Sequence, residues 1–265
     1  MKLLSETKTL TAAACNAQME LPLQSLVREI IDAATDHANA LGFGYDRLLA
    51  NGNAWVLSRL CVEMQRFPAV GDTYTLTTWI EATNRHFSTR NFEITDSNGT
   101  TLGHSRTVWA GIDIKTRRSV DLTGLQSLVD MSLDRQCPVA PPARLRFASK
   151  NPTVTPYTVQ VSDIDSNRHL TTARYVELAV NCLSLDDYDR CFPGRFDISF
   201  MKECRFGEAL DISHSLDGST LDVAIANSAG EMKRFLDESY PDARDTLVSA
   251  YVGDLLVTCY SVHSR

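Results

Sequence analysis

The chain has 265 residues, of which 43% are apolar and 22% charged, enough for two domains of ordinary size and too apolar for a disordered protein. A formal charge of −7 and a sequence pI of about 5.4 argue against a nucleic-acid binder and leave room for a local basic patch facing an acidic partner. The seven cysteines (Cys15, Cys61, Cys137, Cys182, Cys191, Cys204 and Cys259) are odd in number and form no C-x-x-C, so neither a disulfide framework nor a zinc ribbon is expected, and a reducing, cytoplasmic setting fits.

Met1 to Thr11 carries Glu6 and Lys8 and does not read as a signal peptide. No apolar run approaches the roughly 20 residues that cross a bilayer. Leu23, Leu26, Val27, Ile30, Ile31, Ala34, Ala38 and Leu41 recur at helical spacing, with Pro22 suited to the first helical position and Gly42 to the stop. The spacing predicts a helix over 22–41 with one face buried. Strand patterns follow at Trp55 to Met64, at Thr73 to Glu81 with Tyr74, Leu76 and Ile80 alternating, and at Phe87 to Thr95. Asp96-Ser97-Asn98-Gly99 is a hairpin signal, Thr101 to Ile114 returns, and Lys115-Thr116-Arg117-Arg118 closes the meander. Residues 124–146 lack a strand period and contain Pro138, Pro141 and Pro142, so they read as a connection with a short helix near 124–134.

The second half repeats the order. Thr153 to Val161 reads as a strand, Leu170, Ala173, Val176, Ala179, Val180 and Leu183 as a helical stripe, and strands are expected near 195–205, 209–216, 220–227, 231–236 and 247–262. Gly71-Asp72 and Gly207-Glu208 stand at comparable corners of the two halves. A long helix wrapped by an antiparallel sheet is the hotdog arrangement, and pairing two would shield an exposed sheet edge. The expected fold is therefore α+β, a tandem (double) hotdog with two long helices, the N-terminal hotdog over 1–123, a connection over 124–146 and the C-terminal hotdog over 147–265. A generic two-domain α+β protein is the rival.

The densest chemistry is Asp163-Ile164-Asp165-Ser166-Asn167-Arg168-His169, immediately before the second helical stripe. A helix N-terminus offers unpaired N–H groups to a developing oxyanion, and histidine exchanges protons near neutral pH. Further on, a strand-like run from Asp197 to Arg205 carries Glu203 and Cys204. Read alone, each piece has an ordinary explanation: a loop and helix cap for 163–169, a surface carboxylate for Glu203, a packed thiol for Cys204. Asp163 reads equally as a turn residue or a catalytic one.

Taken together, the segment resembles the D-x-D-x-N-x-H signature of acyl-ACP thioesterases, and Glu203-Cys204 resembles their downstream Glu-Cys pair. Asn53 to Arg59, Arg85 to Arg90 and Trp109 to Arg118 resemble further family blocks, so the resemblance spans roughly 15–215. It implies hydrolysis of the thioester that joins a fatty acyl chain to the phosphopantetheine of acyl carrier protein, with no cofactor, metal or nucleotide. Asp165, Asn167, His169, Glu203 and Cys204 stand on the family's catalytic positions, and the first half supplies most of the acyl pocket by analogy, with the helix face near Leu23 to Ile31 limiting the chain. The partner implied is the carrier protein, with no nucleic acid and no membrane span, and both a monomer and a homodimer stay open. Where many members follow the histidine with two asparagines, this chain has Leu170-Thr171-Thr172; threonine can cap the helix.

Two mechanisms compete. Cys204 as nucleophile would be activated by His169 with Asn167 orienting the ring. Alternatively Glu203 and His169 activate water, Asn167 holds the thioester and Asp165 orients its neighbours. Adjacent strand residues face opposite ways, so Glu203 and Cys204 cannot both face a site without a bulge, and water activation is preferred. A hotdog acyl-CoA thioesterase, a hotdog β-hydroxyacyl dehydratase and a non-catalytic acyl-binding module are the other readings. His37 and His86 read as packing or surface residues, and Trp55 and Trp109 as core or pocket wall. Arg85 and Arg90, and the cluster Lys115, Arg117 and Arg118, are candidate contacts for an acidic carrier or its phosphate, or else salt-bridged and solvated residues.

Overall fold

The computed structural model describes residues 2–142, 145–147, 149–227 and 255–264. The chain forms two compact units, Met1–Ala143 with Gly194–Asp197, and Arg144–Pro193 with Ile198–Arg265. Both carry the expected α+β design of a helix against an antiparallel sheet.

In the first unit, strand β1 (Leu3–Thr9) is followed by helix α1 (Leu23–Ala40), a short helix α2 (Tyr45–Ala50), and strands β2 (Asn53–Met64), β3 (Thr73–Thr83), β4 (Phe87–Asp96) and β5 (Thr101–Asp113). The sheet order is β1-β3-β4-β5-β2, every pair antiparallel. Pro22 caps α1 rather than opening it, and Gly42, at φ +80°, takes the left-handed conformation that follows the helix end. Leu23, Leu26, Val27, Ile30 and Ala34 of the predicted stripe are buried, joined by Ala33 and His37 from outside it, while Ile31, Ala38 and Leu41 stay half-buried. The sheet answers with Tyr74, Leu76 and Ile80, all buried at alternate positions of β3.

Strand β1 has no apolar alternation, and helix α2, at 6 residues, is too short to show a helical period. On β1 the alternate residues Ser5, Thr7 and Thr9 pair their hydroxyls with those of Thr77, Thr75 and Thr73 at 2.9, 2.9 and 3.0 Å. Across the other face of the sheet runs the segment after helix α3 (Gln126–Asp130). Trp79, fully buried, packs with Cys61, Cys137 and Val139; its indole N–H donates to the Arg135 carbonyl at 2.8 Å, and the Arg135 guanidinium lies 4.3 Å from its ring centroid. Bonds from Leu133 N–H to the Ile80 carbonyl (2.8 Å) and from Arg106 to the Val139 carbonyl (3.1 Å) hold the same stretch along the sheet.

In the second unit, strand β6 (Thr153–Thr158) precedes helix α4 (Thr172–Val180), helix α5 (Leu185–Arg190), strand β7 (Cys191–Phe200), and strands β8 (Ala209–Asp217), β9 (Thr220–Asn227) and β10 (Leu255–Ser264). The order β10-β9-β8-β6 is again antiparallel, and residues 194–197 of β7 group with the first unit. Helix α4 has 9 residues against 18 in α1. The stripe read as one helix divides because Ser184 and Asp187 form a capping box that starts α5 afresh. The strand expected near 231–236 lies outside the described residues, and that expected at 247–262 is described from Leu255 on. Among the described residues no helix is long and apolar enough to cross a membrane.

The two glycine corners are equivalent. Gly71 and Gly207 sit at φ +85° and +81°. Gly71 N–H donates to the Leu10 carbonyl, and Leu10 N–H donates back to Asp72, each at 2.9 Å; Gly207 and Val159, then Val159 and Glu208, repeat both bonds at 3.0 Å. The first strand of each unit is tied off in the same way.

Trp79→Ala is expected to destabilise the protein by about 3–5 kcal/mol, since it empties the contact between sheet and connecting segment. Urea unfolding should show the midpoint fall; a change under about 1 kcal/mol would contradict this packing account.

Candidate active site

The segment 163–171 is a closed loop ahead of α4. Asp165 N–H donates to the His169 carbonyl at 2.8 Å, and Arg168 N–H donates back to the Asp165 carbonyl at 3.0 Å. Inside this ring, Oδ1 of Asp165 accepts from the N–H of Asn167 (2.8 Å) and of His169 (3.0 Å). Arg168 turns the corner at φ +63°, a conformation costly for a side-chain-bearing residue. The loop leaves Asn167 exposed at its tip and His169 partly buried at its base.

His169 does not belong to the helix. Thr171 is the N-cap, its hydroxyl accepting from Arg174 N–H at 3.1 Å, so threonine does begin the helix here. Leu170 N–H donates to the Cys204 carbonyl and Thr171 N–H to the Asp163 carbonyl, both at 2.8 Å. Thr172 and Ala173 keep first-turn N–H groups with no acceptor among the described residues.

Asp163 is the turn residue. It is 3% exposed; its carboxylate accepts from Tyr157 O–H (2.5 Å) and Gln160 N–H (2.7 Å) and pairs with Arg174 Nε at 3.1 Å. Arg174 in turn holds Glu177 at 2.7 Å and Tyr157 Oη at 3.0 Å. Glu177 foremost, then Tyr157 and Asp163, keep the guanidinium charged, while burial and then Asp163 raise the Tyr157 hydroxyl above its ordinary pKa. Of this network the sequence singles out Asp163 alone; nothing in it marks Tyr157, Arg174 or Glu177.

Glu203 and Cys204 are not on a strand. Strand β7 ends at Phe200, and residues 201–206 form a loop, so the alternation argument about facing sides does not apply to them. The chain leaves the sheet because the Cys204 carbonyl is drawn to Leu170 N–H and because Gly207 turns the corner. Oε1 of Glu203 lies 3.5 Å from His169 Nε2 and 3.4 Å from Arg205 Nη2, with about a quarter of each of the His169 and Glu203 side chains exposed. Cys204 is 1% exposed. An imidazole and a carboxylate at this distance, both reachable from solvent, can share and pass a proton; apo distances of this kind commonly tighten on substrate binding.

The other candidates separate cleanly. Arg90 is no surface contact: it is 6% exposed inside the first unit, its Nη1 meeting Nδ1 of the buried His37 at 2.6 Å and Thr78 Oγ1 at 3.3 Å, and burial lowers its pKa to about 10. Arg85 is exposed and paired with Asp121 at 3.0 Å. Lys115, Arg117 and Arg118 lie on an exposed turn whose backbone is held by Asp113. His86 is exposed, edge-on to Phe87. The indole N–H groups of Trp55 and Trp109 donate to the Phe43 carbonyl and to Thr107 Oγ1.

Asp163→Ala should cost about 2–3 kcal/mol, because it strands Tyr157, Gln160 N–H and a partly exposed Arg174 at once. Thermal unfolding measures it; an unchanged midpoint would mean that the network does not hold the loop.

Comparison with known proteins places the chain in a family. Residues 8–124 match the acyl-ACP thioesterase N-terminal domain and residues 147–237 the acyl-ACP thioesterase C-terminal domain. The fold is similar to that of an acyl-ACP thioesterase from Bacteroides thetaiotaomicron, with 25% identity, a TM-score of 0.83 and coverage of 100% of this chain and 98% of that one. It is similar too to the 12:0-ACP thioesterase from Umbellularia californica, with 15% identity, a TM-score of 0.81 and coverage of 100% and 98%. A chloroplastic acyl-[acyl-carrier-protein] hydrolase of Cuphea viscosissima is 23% identical over 74% of this chain. The chloroplastic oleoyl-acyl carrier protein thioesterase 1 of Arabidopsis thaliana is 22% identical over 78% of it. The matches span 51% and 61% of those two relatives. With both domain models matched, one on each side of the central connection, the chain belongs to the acyl-ACP thioesterase family.

Proposed function

We propose that this protein hydrolyses the thioester of fatty acyl-ACP, releasing a free fatty acid and the carrier protein and so ending chain elongation. The observation that carries the reading is the pair His169–Glu203, with Nε2 and Oε1 at 3.5 Å and both side chains open to solvent, in a chain of this family.

In this reading Glu203 and His169 take a proton from a water molecule as its oxygen bonds to the acyl carbon. Asn167 and the N–H groups of Thr172 and Ala173 receive the carbonyl oxygen as it gains charge. The carbon–sulfur bond then breaks, and His169 returns a proton to the departing phosphopantetheine sulfur. Cys204 is a packing residue: its side chain is closed off, and its carbonyl latches the loop to Leu170. The reading favours water activation over dehydration of a β-hydroxyacyl group, with Asn167, on the same loop as His169, assigned as the donor to the carbonyl.

The domain roles are part of the proposal. Residues 1–123 form the hotdog that takes the acyl chain against the inward face of α1, from Leu23 to Ile30; 124–146 connect; and 147–265 carry the chemistry. The acyl carrier protein is the partner, and the setting proposed is a reducing cytoplasm, in keeping with cysteines that form no disulfide among those described.

A panel of acyl-ACPs, with thiol and fatty acid both measured, tests this. Wild-type protein should release both, while His169→Ala and Glu203→Gln should each lower kcat by about 10²–10⁴ with KM little changed. Cys204→Ser should stay within about tenfold of wild type. No release from any acyl-ACP by folded wild-type protein, or an enoyl product from a β-hydroxyacyl thioester, would overturn the assignment.

A further inference from the structure

The loop that bears His169 has a counterpart in the first unit that bears no histidine. Asn16 N–H donates to the Glu20 carbonyl at 2.9 Å, and Met19 N–H donates back to the Asn16 carbonyl at 3.1 Å. Oδ1 of Asn16 accepts from Gln18 N–H (3.1 Å) and Glu20 N–H (2.9 Å). Met19 turns the corner at φ +62°, as Arg168 does at +63°. A short 3-10 turn precedes each loop, Ala12–Ala14 in one unit and Val161–Asp163 in the other. Leu21 N–H donates to the Pro68 carbonyl at 2.9 Å, as Leu170 N–H does to that of Cys204 at 2.8 Å. The correspondence holds at one constant offset from Leu10 and Val159, which are tied to the glycine corners, through to the caps Pro22 and Thr171.

The two loops share one identical residue, Leu21 and Leu170. Asp165 answers to Asn16, Asn167 to Gln18, His169 to Glu20, and Glu203 to Phe67. The hydrogen-bond pattern thus survives when every chemically active side chain is exchanged, and the residue that closes the first-unit loop is a neutral amide. Both loops need one side-chain oxygen in the same place, accepting the same two N–H groups. A negative charge is not part of that requirement.

We infer that Asp165 is a positioning residue: its Oδ1 fixes the loop that presents Asn167 and His169, its charge takes no part in the reaction, and asparagine replaces it. The inference rests on the proposed role of His169. In mechanistic terms it removes one of the two candidate carboxylates from the chemistry and leaves Glu203 as the acidic partner of the imidazole.

The test compares Asp165→Asn with Asp165→Ala for kcat, KM, the pH profile of acyl-ACP hydrolysis and thermal unfolding. Asp165→Asn is expected to hold kcat within about threefold of wild type, with the pH profile and unfolding midpoint in place. Asp165→Ala should lose about tenfold or more in kcat and lower the midpoint by about 2–4 °C, as for a lost cap. A hundredfold loss of kcat in Asp165→Asn at an unchanged midpoint, or a displaced pH profile, would show that the charge acts and would overturn the inference. Should wild-type protein hydrolyse no acyl-ACP, the functional proposal fails on its own, and the unfolding midpoints still decide: Asp165→Asn must melt like wild type and above Asp165→Ala, and an Asn variant as unstable as the Ala one overturns the inference.

Discussion

Two backbone N–H groups, those of Asn167 and His169, converge on one oxygen of Asp165, and the geometry around the candidate site follows from that convergence. The ring it closes sets where His169 leaves the backbone, forces Arg168 into a left-handed corner and hands the chain to the Thr171 cap at the start of α4. From there Leu170 N–H reaches the Cys204 carbonyl, which pulls the chain off β7 and sets Glu203 beside the imidazole. A carboxylate far along the sequence is therefore brought to the histidine by backbone bonds, and the side chains are left for chemistry.

The same scaffold appears twice, furnished differently. In the first unit the ring presents Gln18 and Glu20, and the chain latched to it presents Phe67 and Pro68; in the second it presents Asn167 and His169, beside Glu203 and Cys204. The first unit's α1 is correspondingly long and lined with Leu23, Leu26, Val27 and Ile30, whereas α4 is half its length and gives way to α5. In the proposed function one half takes the apolar chain and the other transfers the proton, a division of labour open to a pair of hotdogs joined in one chain.

Much of this was legible in the residues, for identifiable reasons. The stripe of α1 and the alternation of β3 carry strong hydrophobic periods, and the Asp96 to Gly99 hairpin and both glycine corners are marked by turn chemistry. Strand β1 was not legible, since its Ser and Thr ladder has no apolar period, and the division between α4 and α5 was hidden because a capping box at Ser184 interrupts a stripe that otherwise looks continuous. In the sequence Arg90 stays open between a partner contact and a salt-bridged strand residue, because periodicity does not say that a guanidinium will be buried against His37. Of the candidate site, the motif exposed Asp165, Asn167, His169, Glu203 and Cys204, but the loop that places the last two could not be seen. Backbone hydrogen bonds decide it, and these leave almost no trace in side-chain identity, as the single shared leucine of the two loops shows.

With the thiol of Cys204 enclosed and Glu203 beside His169, the account requires that water attack the thioester directly. Rapid mixing of the protein with acyl-ACP, acid quenching, and mass analysis of the protein alongside thiol and fatty acid measures this. The account predicts that thiol and fatty acid appear together on one time course and that no acyl mass is found on the protein. A burst of thiol ahead of fatty acid, with the acyl group recovered on the peptide that contains Cys204, would contradict it.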